Sequence, residues 1–108
     1  PMQNPRHIVI TGASSGIGAA LAMEYAAPGV TLSLTGRSAG RLAETAARCR
    51  AQGAEVREAV LDVTDAPAME AWLTARDAET PVDLVIANAG ISGGSGGTSV
   101  LGEDPAQV

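Results

Sequence analysis

The chain has 108 residues, enough for one small domain, and 45% of them are apolar, as in an ordinary globular protein. Its net charge of −5 argues against a nucleic-acid surface and against electrostatic attachment to an anionic membrane. No apolar run approaches the roughly 18 residues that cross a bilayer, and the single cysteine, Cys49, fits a reducing compartment, so we expect a cytoplasmic protein.

Strand-like and helix-like segments alternate along the first part of the chain. Residues 7–10 form a short, continuous apolar run, which predicts a strand buried on both faces. After a glycine-rich loop, a helix is predicted from residue 16 to about residue 27. The apolar stripe expected on this helix consists of Ile17, Leu21 and Tyr25. Residues 30–35 then predict a second strand.

The second helix has clear signals at both ends. Ser38 is a suitable N-cap, and Gly53 is a suitable residue to follow the last turn. The apolar stripe of this helix consists of Leu42, Ala46 and Cys49. Its outer, charged face consists of Arg41, Glu44 and Arg48.

The third helix lies between two further predicted strands, at residues 55–61 and 82–87. Thr64 or Asp65 is expected to cap this helix, with Pro67 in its first turn. The side chains expected to point inward from it are Met69, Trp72 and Leu73.

This alternation indicates an α/β protein with a parallel sheet and right-handed crossovers. We expect a Rossmann-type doubly wound sheet in the order 3-2-1-4, with two helices on one face and the third on the other. Residues 1–108 then form one partial domain, truncated after the fourth strand, and Asp104-Pro105 begins a helix. As an edge, the fourth strand would expose backbone and apolar side chains, so we expect this piece alone to aggregate, to pair with a copy of itself or to be covered.

The loop after the first strand contains Gly12, Gly16 and Gly18. A strand, a glycine turn and a helix start point unpaired N–H groups at one spot, where the helix dipole adds about half a positive charge. Glycine also lets a phosphate approach without meeting a Cβ atom. The loop therefore predicts a pyrophosphate site, although its spacing is not G-x-G-x-x-G and no lysine makes it a Walker A loop. The alternative is a turn that binds nothing.

Three motifs in order resemble one family. Residues 11–18 read TGASSGIG, which resembles the TGxxxGIG loop of the short-chain dehydrogenase/reductases. Asp62-Val63, at the end of the third strand, resembles the pair that contacts adenine in that family. Residues 87–90 read ANAG and are similar to its NNAG motif, with alanine in place of the first asparagine. The resemblance extends from about residue 6 to residue 108.

The resemblance implies a role for each matching position. Backbone N–H groups of residues 15–18 would hold the pyrophosphate of a dinucleotide. Asp62 would accept a hydrogen bond from the adenine amino group, helped by the Val63 backbone, and Asn88 would brace the strand ends. The positions implied to approach the two riboses are Ala89, Gly90 and Ile91.

The end of the second strand bears on the choice of cofactor. An acidic residue here would bond the ribose 2′-hydroxyl of NAD, but this chain has Gly36, which removes a carboxylate that would repel a 2′-phosphate. Arg37 offers the phosphate a forked pair of donors, and Ser38 adds a hydroxyl. We therefore expect NADP(H) rather than NAD(H), the alternative being a solvated surface arginine. The full set of expected cofactor-binding residues is Gly12, Ser14, Ser15, Gly16, Ile17, Gly18, Arg37, Ser38, Asp62, Val63, Asn88, Ala89, Gly90 and Ile91.

We expect no catalytic residues within this chain. The resemblance implies a Ser and a Tyr-x-x-x-Lys, in which the lysine lowers the pKa of the tyrosine. The chain has no lysine, and its one tyrosine, Tyr25, is interpreted as a packing residue. Cys49 is interpreted as inert core, and His7 and Asp83 as solvent-facing strand ends. No pair of His or Cys has metal-ligand spacing.

We interpret the chain as the cofactor-binding N-terminal half of an NADP(H)-dependent oxidoreductase that transfers hydride between nicotinamide and a carbonyl or alcohol substrate. We expect this piece alone to be inactive and the full-length protein to be a homo-oligomer. The alternatives are a dinucleotide-binding module or sensor without catalysis, and an interaction protein whose loop holds nothing. A downstream Ser and Tyr-x-x-x-Lys would separate the first two, and an NADPH titration would separate the third.

Overall fold

The computed structural model describes residues 5–14 and 16–88 of the chain. Within these ranges strands and helices alternate in the predicted order: β1 (His7–Thr11), α1 (Gly16–Tyr25), β2 (Thr31–Gly36), α2 (Ala39–Ala51), β3 (Glu55–Val60), α3 (Ala66–Glu79) and β4 (Leu84–Ala87). The fourth strand begins two residues later than predicted, because the Val82 N–H donates to the Asp77 carboxylate at 2.8 Å and not to a neighbouring strand. No helix in the described part is long and apolar enough to cross a membrane.

The four strands form one parallel sheet in the order β3-β2-β1-β4, which confirms the predicted topology. Ile8 of β1 lies opposite Leu32 of β2 and Leu84 of β4, so the central strand pairs on both sides. The side chains of Ile8, Val9 and Ile10 are completely buried, as expected for a strand covered on both faces. Because every strand is parallel, the carboxyl ends of all four meet at one edge of the sheet.

One face of the sheet is covered by α1 and α2 and holds the main apolar core. The predicted stripe of α2 is confirmed, since Leu42, Ala46 and Cys49 are fully buried. Ser38 caps α2, and Gly53 follows its last turn with a φ of 97°, a conformation that glycine adopts without strain. Burial raises the pKa of the Cys49 thiol, which agrees with an inert core residue.

The predicted stripe of α1 is wrong at its first position. Ile17 is 61% exposed, and the buried residues of this helix are Gly18 and Ala22. Leu21 and Tyr25 pack against the core at its margin, so Tyr25 is a packing residue as expected. The helix therefore faces the sheet with its smallest side chains, because its first turn approaches the backbone of the glycine loop more closely than a larger residue allows.

The third helix lies on the opposite face, as predicted. Arg57, whose register partner is Ser33, bonds Glu79 of α3 at 2.9 Å, and Arg76 bonds the same carboxylate at 2.7 Å. Trp72 is buried, whereas Met69 and Leu73 are only half-buried. Of the two predicted N-caps, Asp65 is the one used: its carboxylate accepts the Ala68 N–H at 3.1 Å.

The fourth strand is an edge of the described sheet, and it leaves apolar surface uncovered. Val85 lies opposite Val9 on the face of α3 and is 52% exposed. Within the described residues this exposure agrees with the expectation for the side chains of this strand, because α3 is the one described helix on this face and does not cover all four strands.

The prediction that His7 faces solvent is wrong, because its side chain is completely buried. The imidazole Nδ1 lies 2.6 Å from the Thr80 carbonyl oxygen, and Nε2 lies 2.7 Å from Ser33 Oγ. Since a carbonyl can only accept, Nδ1 carries a proton, and in the neutral imidazole Nε2 accepts from the Ser33 hydroxyl. Asp83, exposed as predicted, accepts the backbone N–H groups of Arg6 and His7, which lower the pKa of its carboxyl. These bonds tie β1 and β2 to the chain entering β4.

We expect His7→Ala to lower the free energy of unfolding by about 2–4 kcal/mol, because it removes buried volume and unpairs the Ser33 hydroxyl. Ser33→Ala should cost roughly 1–2 kcal/mol. The double variant should lose less than the sum of both, since it no longer leaves the Ser33 hydroxyl buried without its partner. Urea unfolding followed by circular dichroism measures all three. Strictly additive losses would contradict the assigned bond.

Candidate functional site

The segments that follow β1, β2 and β3 meet the end of β4 at the carboxyl edge of the sheet, and backbone bonds join the first three. The Ala13 N–H donates to the Thr35 carbonyl at 2.8 Å, which ties the glycine loop to β2. The Leu61 N–H donates to the Gly36 carbonyl at 3.1 Å, which ties the end of β3 to the end of β2. The expected site residues within the described ranges therefore share one edge, where ligands of open α/β sheets bind.

The glycine loop has the backbone conformation that glycine permits and larger residues resist. Gly12 has a φ of 69° and Gly16 a φ of 61°, both in the left-handed region. A Cβ atom built on Gly16 would meet nothing within 4 Å, so open space lies beside this residue at the first turn of α1. An exposed helix start beside bare backbone has the geometry in which backbone N–H groups bind anions. Ser15 lies outside the described residues.

The third glycine of the motif serves the packing of the helix. A Cβ on Gly18 would lie 2.0 Å from the Gly12 carbonyl oxygen and 2.7 Å from Asn88 Nδ2. Asn88 reaches the same region from the end of β4: its N–H donates to Thr11 Oγ1 at 3.0 Å, and its side-chain amide donates to the Gly12 carbonyl at 3.4 Å. The helix start, the glycine loop and the end of β4 therefore form one closely packed unit.

The end of β2 packs directly against the glycine loop. A Cβ on Gly36 would lie 2.8 Å from Ser14 Cβ and 2.9 Å from Ser14 Oγ. This contact gives a packing reason for glycine, beyond the missing carboxylate that the sequence analysis considered. Arg37, the next residue, is exposed, and Ser38 Oγ accepts the Arg41 N–H at 3.3 Å as the N-cap of α2.

Asp62, which follows β3, is an exposed carboxylate with a fixed orientation. It accepts the Thr64 hydroxyl at 2.7 Å and the Thr64 N–H at 2.9 Å. These two bonds lower the pKa of the Asp62 carboxyl, and the positive charge of Arg37 lowers it further. The charges of Arg37, at the end of β2, and Asp62, after β3, therefore attract each other.

Two clefts open beside these loops. One, of about 280 Å³, lies between α1 and α2 and has Ser14 and Arg41 in its lining. The other, of about 530 Å³, lies between α3 and the strand ends, with Thr11, Val63 and Ala87 among its lining residues. Val63 and Ala87 thus line a largely apolar cleft on the face of the sheet that α3 partly covers.

The described residues contain no cluster of three or more His, Cys, Asp or Glu side chains that could hold a metal ion. Four of the expected cofactor-binding positions lie outside the described residues: Ser15, Ala89, Gly90 and Ile91. Of the others, the structure places Ile17 on the surface beside the open loop, and it brings the remainder to the strand ends.

The sequence model of a family described as short chain dehydrogenase matches residues 6–105. The chain belongs to the short-chain dehydrogenase family. Among related proteins of this family, the 1-deoxy-11-beta-hydroxypentalenate dehydrogenase of Streptomyces arenae is 39% identical over 89 residues, which cover 82% of this chain and 32% of that protein.

Solved structures of short-chain dehydrogenases share the fold. An NAD+-bound xylitol dehydrogenase has a TM-score of 0.73 at 29% identity, over 80% of this chain and 34% of that one. The L-sorbose reductase of Gluconobacter frateurii, complexed with NADPH and L-sorbose, has a TM-score of 0.71 at 28% identity, over 94% of this chain and 38% of that one. The chain thus spans about a third of the length of these three proteins.

Two features of this edge escaped the sequence analysis. The Thr11 hydroxyl accepts the Asn88 N–H, and Ser14 fills the space above Gly36. The position of Thr11 could have been predicted, because alternating side chains along a strand place it on the same face of β1 as Val9. The contact between Ser14 and Gly36 joins residues from different parts of the sequence, so no local sequence pattern predicts it.

Gly18→Ala should destabilise the chain by about 1–3 kcal/mol, because its Cβ would collide with a backbone carbonyl that cannot swing away. Gly40→Ala is the matched control, since it also replaces a helical glycine but meets nothing within 4 Å. That control should be neutral or stabilising by up to about 1 kcal/mol. Thermal unfolding compares the two. A Gly18→Ala protein as stable as Gly40→Ala would contradict the close packing.

Thr64→Val should raise the pKa of Asp62 toward its ordinary value, because it removes the hydroxyl bond but keeps the backbone N–H. Arg37→Gln should raise this pKa by less. Because the folded-state pKa of Asp62 is lowered, its contribution to stability is present above the unfolded value, about 3.9, and is lost as the pH falls through the folded value. Carboxyl carbon NMR titration measures both variants, and a larger effect of Arg37→Gln would reverse the assigned order of causes.

Proposed function

We propose that this chain is the cofactor-binding part of an NADP(H)-dependent oxidoreductase, which transfers hydride between the nicotinamide and a carbonyl or alcohol substrate. The observation that carries the proposal is the open backbone at Gly16, where an exposed helix start follows the central strand of a parallel sheet. The family to which the chain belongs supports the reaction class, and the proteins named above are two dehydrogenases and a reductase.

Each described residue of the site has a proposed part in binding. The N–H groups beginning α1 would hold the pyrophosphate, with the helix dipole favouring its charge. Asp62, held by Thr64 in its charged, accepting state, would take the adenine amino group. Asn88 would keep the ends of β1 and β4 in place through Thr11 and Gly12. The proposed positions outside the described residues are Ser15, Ala89, Gly90 and Ile91.

The preference for the 2′-phosphate form is proposed on the chemistry at the end of β2. Arg37 is exposed, and within the described residues it forms none of the ion pairs. Its guanidinium is therefore available to a phosphate, for which its forked donors are suited. Related structures occur with each cofactor, since the xylitol dehydrogenase is NAD+-bound and the L-sorbose reductase is complexed with NADPH.

The cofactor would supply the hydride, while a protein acid or base supplies or removes the proton at the substrate. The chain has no lysine, so no Tyr-x-x-x-Lys lies within these 108 residues. We therefore propose that the proton-transfer residues of the full-length protein lie elsewhere and that these residues alone bind without catalysing. We also propose that the full-length protein is a homo-oligomer and that it is cytoplasmic. The buried, unpaired Cys49 thiol supports the cytoplasmic location.

The second candidate function is a dinucleotide-binding module or sensor that does not catalyse. The observation in its favour is the same absence of lysine in the chain. Assay of the full-length protein for carbonyl-dependent NADPH oxidation separates the two functions. Turnover supports the oxidoreductase, whereas tight binding without turnover of any carbonyl or alcohol tested supports the module.

Arg37→Ala should weaken NADPH binding by about 10–100-fold and leave NADH binding nearly unchanged, since only NADPH carries the 2′-phosphate. Isothermal titration of both cofactors with both proteins measures the difference. Arg6→Ala is the control, because Arg6 is also an exposed arginine but precedes β1 at the opposite edge of the sheet. Equal losses for NADPH and NADH would remove the case for a contact between Arg37 and the phosphate, and no binding of either would refute the cofactor site.

A further inference from the structure

The strand β3 lies at one end of the described sheet, so one of its two sides has no neighbouring strand there. The Glu55 N–H donates to the Val30 carbonyl at 2.9 Å, just before β2. The Leu61 N–H donates to the Gly36 carbonyl at 3.1 Å, at the end of β2. Because alternate residues of a strand direct their backbone groups to opposite sides, residues 56, 58 and 60 direct theirs away from β2. These outward groups form the free edge of β3.

The Arg50 side chain covers the first part of the free edge. Its Nη2 donates to the Val56 carbonyl oxygen at 2.9 Å, and its Nη1 donates to Glu58 Oε1 at 3.2 Å. The forked guanidinium thus joins a backbone acceptor of the edge to the side chain two residues further along the strand. A strand added from another chain would need the same carbonyl, because its own N–H groups bond the outward carbonyls.

The end of α2 holds Arg50 beside β3. The Arg50 carbonyl accepts the Gly53 N–H at 2.9 Å, in the turn between the two elements. An arginine in the last turn of a helix is also favoured by the helix dipole. The Arg50 side chain is 49% exposed, and an ion pair this exposed adds little to stability. Its larger effect is on what the free edge can bind.

The remaining part of the free edge is open and ends in an apolar side chain. No hydrogen bond of the described residues outside the sheet involves the backbone of Glu58 or Val60, and Val60 is 53% exposed. Two copies of this edge can pair antiparallel about a twofold axis, with Glu58 facing Glu58 of the other copy. This register uses the outward groups of residues 56, 58 and 60 in both copies. It needs the Val56 carbonyl that Arg50 occupies, and it places two like charges directly opposite each other.

We infer that Arg50 and Glu58 together prevent the free edge of β3 from pairing with a second copy of the chain. Arg50 occupies an acceptor that the pairing needs, and the Glu58 carboxylate repels its counterpart in the second copy. A second copy is the partner that this edge fits best, because two identical edges offer each other the same donors, acceptors and exposed Val60 side chain. The inference does not depend on a bound cofactor.

The test compares two double variants of the full chain that have the same net charge, Arg50→Ala/Glu58→Gln and Arg48→Ala/Glu58→Gln. Arg48 is the matched control, because it is also an exposed arginine of α2 but forms none of the ion pairs of the described residues. Sedimentation velocity over a range of concentrations should give the first variant a dissociation constant for self-association about tenfold or more below that of the control. Amide hydrogen exchange at positions 58 and 60 should slow as the concentration of the first variant rises.

Two further variants separate the contributions of the guanidinium and the carboxylate. Arg50→Ala alone should associate less strongly than the double variant, since the two Glu58 carboxylates still repel each other, and added salt should narrow this difference. Arg50→Lys in the Glu58→Gln background should associate to an intermediate degree, because a lysine keeps the charge and a donor but not the fork.

Equal association of the two double variants would overturn the inference. So would association of the Arg50 variant that leaves exchange at positions 58 and 60 unchanged, because the copies would then pair through another surface. Circular dichroism establishes that each variant is folded. If Arg50→Ala is not folded, the comparison of Arg50→Lys with Arg48→Lys in the Glu58→Gln background decides in the same way.

Discussion

The approach of α1 to the carbonyl oxygen of Gly12 is the constraint on which the site depends. A helix can begin this close to the preceding loop only if its third residue has no side chain, and Gly18 meets that need. The contact aims the N-terminal N–H groups of α1 across the end of β1, where Gly16 leaves open space. The two glycines thus have different roles. Gly18 allows the helix to pack close to the loop, and Gly16 leaves open space beside the N-terminus of the helix.

The two ends of the sheet are built in opposite ways. At the amino end, the buried His7 imidazole and the Asp83 carboxylate satisfy polar groups from β1, β2 and the segments around α3 and β4. At the carboxyl end, the loops bond one another through the Gly36 carbonyl and Asn88 but leave charged side chains in solvent. The hydrogen bonds of His7 and Asp83 at the amino end hold the strands in register. The loops at the carboxyl end therefore have defined positions although their charged side chains remain in solvent.

Charge at the open end is organised across loops that are distant in the sequence. Arg37 lowers the pKa of Asp62, and the bonds from Thr64 hold that carboxylate in its ionised form. Arg41 lines the cleft between α1 and α2 together with Ser14 of the glycine loop. Arg37 and Asp62 thus bring opposite charges from the ends of β2 and β3 to one edge of the sheet.

The sequence determined the alternation of elements, the sheet order and the helix caps, because these follow from local periodicity and from the handedness of parallel crossovers. It also located the glycine loop. It did not determine the burial of His7, because the partners of its imidazole, Ser33 and Thr80, lie 26 and 73 residues away. Nor did it determine the orientation of α1, which depends on how closely Gly18 approaches Gly12 and Asn88. Because Ile17 is a large apolar residue, the sequence predicted that it points toward the core. In the structure Gly18 faces inward because it packs against Gly12, and Ile17 is exposed. Only the tertiary structure supplied the surroundings of Gly36 and Arg41, because neighbours contributed by other loops decide what those residues can touch.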